Sequence, residues 1–178
     1  MPFAAFGVDG LLVVGSWCQR DSLGIAFEAV KESFVVAVDA ALALNDDARA
    51  HELLALVDSL PVGHSPRYLQ AHSARFHARL ATRRGNSGEV DRLFSRAAEL
   101  FRELTYPFCL AVTLLEQSEW LSRQGRHEAS EPLLVEARGI FRRLLASPWL
   151  ERVERASTIE TDPDVADDPF RDPKPPSH

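Results

Sequence analysis

Apolar residues recur along the middle of the chain with the period of an amphipathic helix. After residue 88 they fall at i, i+4, i+7, i+8 and i+11, which places them on one face of a helix with 3.6 residues per turn. These positions are Leu93, Ala97, Leu100, Phe101 and Leu104. The same stripe returns 40 positions later, between Leu133 and Leu145. The pattern predicts an all-α fold.

The chain also repeats itself at an offset of 40 residues. Residues that break helices coincide at this offset, at Asn45, Gly85 and Gly125, and apolar and small positions on either side coincide with them. Three units with one internal turn each imply three antiparallel helix pairs. Aromatic residues of these units are predicted to be core, namely Phe94, Phe101, Trp120 and Phe141.

The predicted helices lie before and after each breaker. Their bounds are 33–44 and 48–60, 67–84 and 89–104, and 108–124 and 128–145. Pro61, Pro66, Pro107 and Pro148 fall between units, where a missing N–H does least harm. Pro132 lies in the first turns of the last helix, so we expect a late helix start or a kink there.

Composition and charge narrow the class of protein. With 46% hydrophobic and 26% charged residues, the 178-residue chain can bury a core. Its formal charge of −6 argues against a sequence-independent grip on nucleic acid or anionic lipid. No stretch reaches the roughly 20 apolar residues that span a bilayer. Because Cys18 and Cys109 lack the spacing of a disulfide framework or a zinc site, we expect a cytoplasmic protein.

The two ends of the chain differ from this middle. Residues 157–178 hold five of the eleven prolines and a net charge of −4, and they contain few large apolar residues. Such a segment cannot offset an ordering cost of about 1–2 kcal/mol per residue, so it is predicted to be a disordered acidic tail. Residues 1–29 are predicted to be an N-terminal cap or a truncated end, and residues 30–156 the helical repeat domain.

Several short strings in the last unit resemble a known class of repeats. They are LLEQSEWL at 114–121, QGR at 124–126, EPLL at 131–134, ARGIF at 137–141 and PWLER at 148–152. They are similar to the C-terminal region of large bacterial adenylate/guanylate cyclase-type signalling proteins and of related ATP-dependent transcriptional activators. The resemblance implies a tetratricopeptide-like array with a period of about 40 residues in a right-handed superhelix. Ser118 and Asn45 depart from the glycines usual in this class.

The resemblance also implies a role. In such relatives a cyclase domain and a nucleotide-binding switch domain precede the repeats, whereas this sequence contains no G-x-x-x-x-G-K-S/T phosphate-binding motif. We therefore expect a non-catalytic protein–protein interaction or regulatory module of a bacterial signalling or transcription-regulating system, with no cofactor. Two alternatives stay open. The chain could be the C-terminal fragment of a nucleotide cyclase-type enzyme, or a structural element that forms a homodimer.

Candidate binding residues share a face of the helix at 67–84 and of the first helix in the next unit. By tetratricopeptide geometry they would line a concave groove, in which arginines could fork onto the carboxylates of a protein or an acidic peptide. The set is His72, Arg75, Arg79, Arg83, Glu119 and Arg123. The acidic tail could fold back and compete for this groove. A merely solvated helix face is the alternative interpretation.

No catalytic or metal site is predicted. His72 and His77 are five residues apart, which turns their rings to different faces of a helix, and His51 lacks the second histidine of a metalloprotease helix. We expect ordinary surface or turn histidines. Cys109 has no neighbouring base in the sequence and is expected to be a small buried residue.

Overall fold

A computed structural model describes residues 28–61, 63–85 and 87–159, and all regular structure in these ranges is α-helical. The all-α class is therefore confirmed. The described helices are α1 Glu28–Ala43, α2 Asp47–Asp58, α3 Arg67–Arg84, α4 Ser87–Glu103, α5 Pro107–Arg123, α6 His127–Arg143 and α7 Ser147–Ile159. Each helix packs against the next along the chain, and α1 also packs against α3. Helices that are joined by short turns and packed side by side run antiparallel.

The six predicted helices are all present, and the largest difference is that α1 begins at Glu28 rather than at residue 33. Helix α7 is an addition. Pro148 was expected to separate units, but it is the second residue of α7, where a proline needs no N–H partner. The predicted tail boundary at residue 157 therefore falls inside a helix. The rest of the tail, with its predicted disorder and fold-back contact, and residues 1–27 lie outside the described residues.

Left-handed backbone marks the turns between helices. The three breakers adopt it, with φ of 58° at Asn45, 74° at Gly85 and 71° at Gly125, so their prediction as turns is confirmed. Thr105 and Leu145, also 40 residues apart, adopt the same conformation with φ of 57° and 54°. The turns after α1, α4, α5 and α6 share one pattern, in which successive N–H groups bond to carbonyls three and five residues back.

Leu145→Gly should raise the free energy of unfolding by about 0.5–1 kcal/mol. Left-handed backbone costs a non-glycine residue roughly 1–2 kcal/mol, and glycine's larger entropy in the unfolded chain offsets part of that gain. Leu145 is 85% exposed, so little packing is lost. Urea denaturation measures the change. Gly125→Ala is the matched control and should destabilise by about 1 kcal/mol, since only strain opposes its Cβ; a stabilising Gly125→Ala would contradict this account of the turns.

Pro132 lies inside α6, which begins at His127, so the expected late helix start is wrong. The reason is the direction in which Pro132 points. Both Pro132 and Glu128, whose carbonyl lacks the usual N–H partner, are exposed. Water can therefore satisfy that carbonyl, and the helix continues through the proline.

The core combines phenylalanine rings with small residues. The four predicted core aromatics are confirmed as buried, since Phe94, Phe101, Trp120 and Phe141 are at most 4% exposed. Ala97 and Ala137, 40 residues apart, are fully buried. Every residue from 110 to 118 is buried, which makes α5 the central helix of the described structure.

Ala97→Leu and Ala137→Leu should each destabilise the protein by about 1–3 kcal/mol, because a larger side chain at a fully buried alanine forces neighbouring helices apart. Thermal melting followed by circular dichroism measures the effect. Arg138→Ala is the control, and it should scarcely change the melting temperature because it removes only one partly buried hydrogen bond to Ser157. Equal losses from all three substitutions would show that the assignment of close-packing positions is wrong.

Candidate functional site

Charged side chains join the alternate helices α1, α3, α5 and α7. We call this set the charged row, and it consists of Asp39, Arg75, Arg79, Glu116, Glu119 and Arg152. Three acids face three bases, so the row is formally neutral. Three of its members occupy equivalent positions in the 40-residue repeat and alternate in sign, namely Asp39, Arg79 and Glu119.

The centre of the row is a buried pair between α3 and α5. The Nε and Nη2 atoms of Arg75 donate to the two carboxylate oxygens of Glu116, both at 2.7 Å. Burial opposes ionisation of Glu116, but the guanidinium of Arg75 outweighs it and lowers the pKa of the carboxyl. Burial likewise disfavours the charge on Arg75, and Glu116 outweighs that effect and raises its pKa. Both side chains are therefore charged in the interior at neutral pH.

The row extends to the outer helices on both sides. Arg79 donates to Asp39 of α1, while Arg75 lies 3.8 Å from Asp39 and Arg79 lies 3.8 Å from Glu116. On the other side, the Nε and Nη2 atoms of Arg152 in α7 donate to both oxygens of Glu119 at 2.7 Å. Each of these alternate helices is thus tied by charge to its neighbour.

These contacts change what the predicted groove residues can do. Arg75 is only 6% exposed, and Arg79 and Glu119 have oppositely charged partners within the chain. The structure thus brings three of the predicted residues into one row, with acids that the sequence analysis did not single out. Because the guanidinium groups of Arg75 and Arg79 already bind carboxylates, an acidic peptide would have to displace Asp39 or Glu116 to reach them.

The two remaining arginines of the predicted groove lie near the C-terminal ends of their helices. Arg83 donates to Asp47 at the start of α2 and, at 2.9 Å, to the carbonyl of Leu42. Arg123 is exposed, and its Nε donates to the carbonyl of Glu119 at 3.1 Å. Neither contacts the buried Arg75–Glu116 pair in the described structure.

His72 lies in the core. Its ring centroid is 4.6 Å from that of Tyr68, 4.8 Å from that of Phe101 and 5.8 Å from that of Phe76. Both ring nitrogens are buried without a hydrogen-bond partner. Burial, and the nearby positive charge of Arg75, hold the pKa of His72 well below its usual value. The expectations of a surface or turn position and of a groove-lining ring are therefore wrong for His72, because neighbouring aromatic rings enclose it.

A cleft of about 400 Å³ opens between the end of α2 and α3. In its wall Ser73 donates to one oxygen of Asp58 at 2.8 Å, and Nε2 of His77 lies 2.7 Å from the other oxygen. Burial opposes ionisation of Asp58, but these hydrogen bonds outweigh it and lower the pKa of the carboxyl. The aspartate stands between the serine and the histidine, whereas hydrolysis needs the histidine next to the nucleophile. This order of contacts gives Ser73 no base.

Exposed apolar side chains gather at the end of the helix stack where α5 and α7 begin. Four of the seven exposed large hydrophobic residues in the described ranges lie there, namely Tyr106 (39%), Phe108 (42%), Leu144 (43%) and Leu145 (85%). Rings beside them extend this surface across three helices. We call the ring set the aromatic row, and it consists of Tyr68, Tyr106, Phe108 and Trp149.

The aromatic row is anchored to the core from beneath. The rings of Tyr68 and Tyr106 lie 5.2 Å apart. On the other side of the start of α5, Phe108 meets Trp149 edge-on at 5.5 Å, and Trp149 stacks on the fully buried Phe141 at 5.5 Å. The row therefore presents aromatic surface whose orientation is already set by packing.

Two further searches concern only the described ranges. They contain no group of three or more His, Cys, Asp or Glu side chains that could hold a metal ion. They also contain no helix that combines the length and the apolar character needed to cross a membrane.

Comparison with known proteins gives no match: no family model, no curated protein and no solved structure is significantly similar to this chain. The resemblance to the repeats of cyclase-type signalling proteins accordingly stays a prediction made from the sequence.

Proposed function

We propose that the chain is a non-catalytic protein-interaction or regulatory module that holds a protein partner at the aromatic row. The observation that carries the proposal is the concentration of exposed Tyr106, Phe108, Leu144 and Leu145 at one end of the stack. Contiguous apolar surface is rare on monomeric proteins and marks interaction sites. Aromatic anchors held in place by packing bind with little loss of conformational freedom.

The chemistry of the described side chains supports a role without catalysis. Ser73 has no adjacent base, since Asp58 lies between it and His77. Burial raises the pKa of Cys109 to about 11, so its thiol is protonated and weakly nucleophilic at neutral pH. A module that acts by binding alone needs neither group to react.

The wider setting of the proposal comes from the sequence. We propose that the helices form a tetratricopeptide-like array of hairpins in a right-handed superhelix, as the 40-residue repeat predicts. The resemblance to cyclase-type proteins and transcriptional activators favours a bacterial signalling or transcription-regulating system in the cytoplasm. A protein ligand fits the apolar surface better than an acidic peptide, because the arginines of the charged row already have partners.

Selection of displayed random peptides against the immobilised full chain tests this function. We expect the selected peptides to bind Phe108→Ser at least tenfold more weakly than the unaltered chain, because truncating a central aromatic anchor removes most of the binding energy. Val135→Ser is the matched control, since Val135 is 53% exposed on α6 and lies outside the row. Equal affinities for both variants, or selected peptides that respond to Arg123→Ala instead, would contradict the proposal.

Two simple measurements distinguish the alternatives. Turnover of ATP or GTP by the purified chain, abolished by a single substitution, would identify a fragment of a cyclase-type enzyme and refute the non-catalytic role. Light scattering that gives the mass of two chains at every concentration would favour the dimerisation element.

A further inference from the structure

We propose that residues 11–17 of this chain occupy the aromatic row and must leave it before a partner binds. The inference rests on the proposed function in taking the row as a binding surface. It names an occupant from within the chain and makes the module self-covering.

The chain enters the described fold at the end that carries the row. Helices α1, α3, α5 and α7 run in the same direction because consecutive helices are antiparallel, so all four begin at one end. The first turn of α1 touches the row directly. The hydroxyl of Tyr68 donates to Glu32 at 2.8 Å, and the ammonium of Lys31 lies 5.5 Å from the centroid of the Tyr68 ring. The segment ahead of Glu28 therefore starts beside the row.

The segment is long enough to cover the whole row. Eleven residue steps separate Trp17 from Glu28, which allow about 36–40 Å of extended chain. Neighbouring helix axes lie about 8–10 Å apart, so the three steps from α1 to α7 span about 24–30 Å. Trp17 can thus reach Phe108 and Trp149 without strain.

The chemistry of the segment matches the surface. Residues 11–17 read Leu-Leu-Val-Val-Gly-Ser-Trp and contain no charge. The cation nearest the row, Arg152, lies 5.4 Å from the Trp149 ring but is already paired with Glu119. An uncharged apolar occupant therefore buries its side chains without stranding a charge, whereas the acidic residues 160–178 would find no unpaired cation here. Tethering supplies the segment at an effective concentration in the millimolar range.

Photo-crosslinking of the full chain tests the inference. We would introduce p-benzoylphenylalanine at position 108, irradiate, and identify the products by mass spectrometry. The expected product has the mass of one chain and joins position 108 to residues 11–17. The same label at position 135 is the control and should not reach this segment. A product with the mass of two chains, a link to residues 160–178, or no link at all would overturn the proposal.

A double variant provides a second readout. Leu12→Asp with Val13→Asp should reduce the yield of the intramolecular link at least fivefold and tighten the binding of the selected peptides at least threefold, because the covering segment no longer competes. Val165→Asp is the control and should change neither value. Unchanged peptide affinity in the double variant would overturn the inference while leaving the proposed function intact. An intramolecular link with no peptide binding to any variant would instead refute the proposed function.

Discussion

Glu116→Ala should lower the free energy of unfolding by about 3–5 kcal/mol, the loss expected when one partner of a buried ion pair is removed. Arg75, which is 6% exposed, would keep its charge in the interior with only Asp39 nearby, at 3.8 Å. Its two hydrogen bonds of 2.7 Å to the carboxylate would be lost. Denaturation in guanidinium chloride at pH 7 measures this change.

Glu103→Ala is the matched control for the buried pair. Glu103 pairs with Arg67 at the surface, where both side chains are 55% exposed, so its loss should cost at most about 1 kcal/mol. The buried carboxyl also predicts a pH effect. Its folded-state pKa lies below the ordinary value, so its stabilisation is complete above about pH 4.5 and is lost as the pH falls through the folded pKa. Similar losses from Glu116→Ala and Glu103→Ala would show that Glu116 is not buried against Arg75.

His72→Leu should raise the free energy of unfolding by about 1–3 kcal/mol at pH 7.5. The native ring buries a donor and an acceptor that have no partner, and leucine of similar volume removes both. The gain should grow as the pH falls. Since the folded pKa of His72 lies well below 6.5, the unfolded chain binds a proton there that the folded chain refuses. The unaltered protein should therefore lose up to about 1.4 kcal/mol per pH unit from this residue below pH 6.5.

Urea denaturation at pH 7.5 and pH 5.5 measures both effects. The His72→Leu variant should lack this part of the pH dependence, while His127→Leu, at the exposed start of α6, should keep it. A His72→Leu variant that is less stable than the unaltered chain at pH 7.5, with the same pH dependence, would mean that the imidazole has a hydrogen-bond partner after all.

The fold was largely predictable because the repeat places chemically special residues at the turns. Asn45, Gly85 and Gly125 tolerate left-handed backbone, and each ends a helix as expected. Thr105 and Leu145 occupy such turns without a suitable side chain, so their own chemistry gave no sign of it. Helix α7 went unpredicted because a proline in the first turn of a helix looks, in sequence, much like a proline between helices.

The candidate sites were less predictable, because a helical period shows which residues share a face but not what lies opposite. Arg75 and Arg79 share a face of α3 as predicted, yet their partner Glu116 comes from a helix about 40 residues away. One signal was present. Asp39 and Arg79 occupy equivalent repeat positions with opposite charges, and equivalent positions of neighbouring units lie close together. The aromatic row had no such signal, because its rings come from turns and helix starts outside the repeating stripe.

The central structural claim is that α3 and α5 are held together by the pair between Arg75 and Glu116 rather than leaving Arg75 open to a ligand. A double-mutant cycle of Arg75→Ala and Glu116→Ala, followed by denaturation at pH 7, tests it most directly. The structure predicts an interaction energy of at least about 1 kcal/mol, with the double variant losing clearly less stability than the sum of the single losses. Strictly additive losses would contradict the claim, because they would mean that the two side chains do not meet in the folded protein.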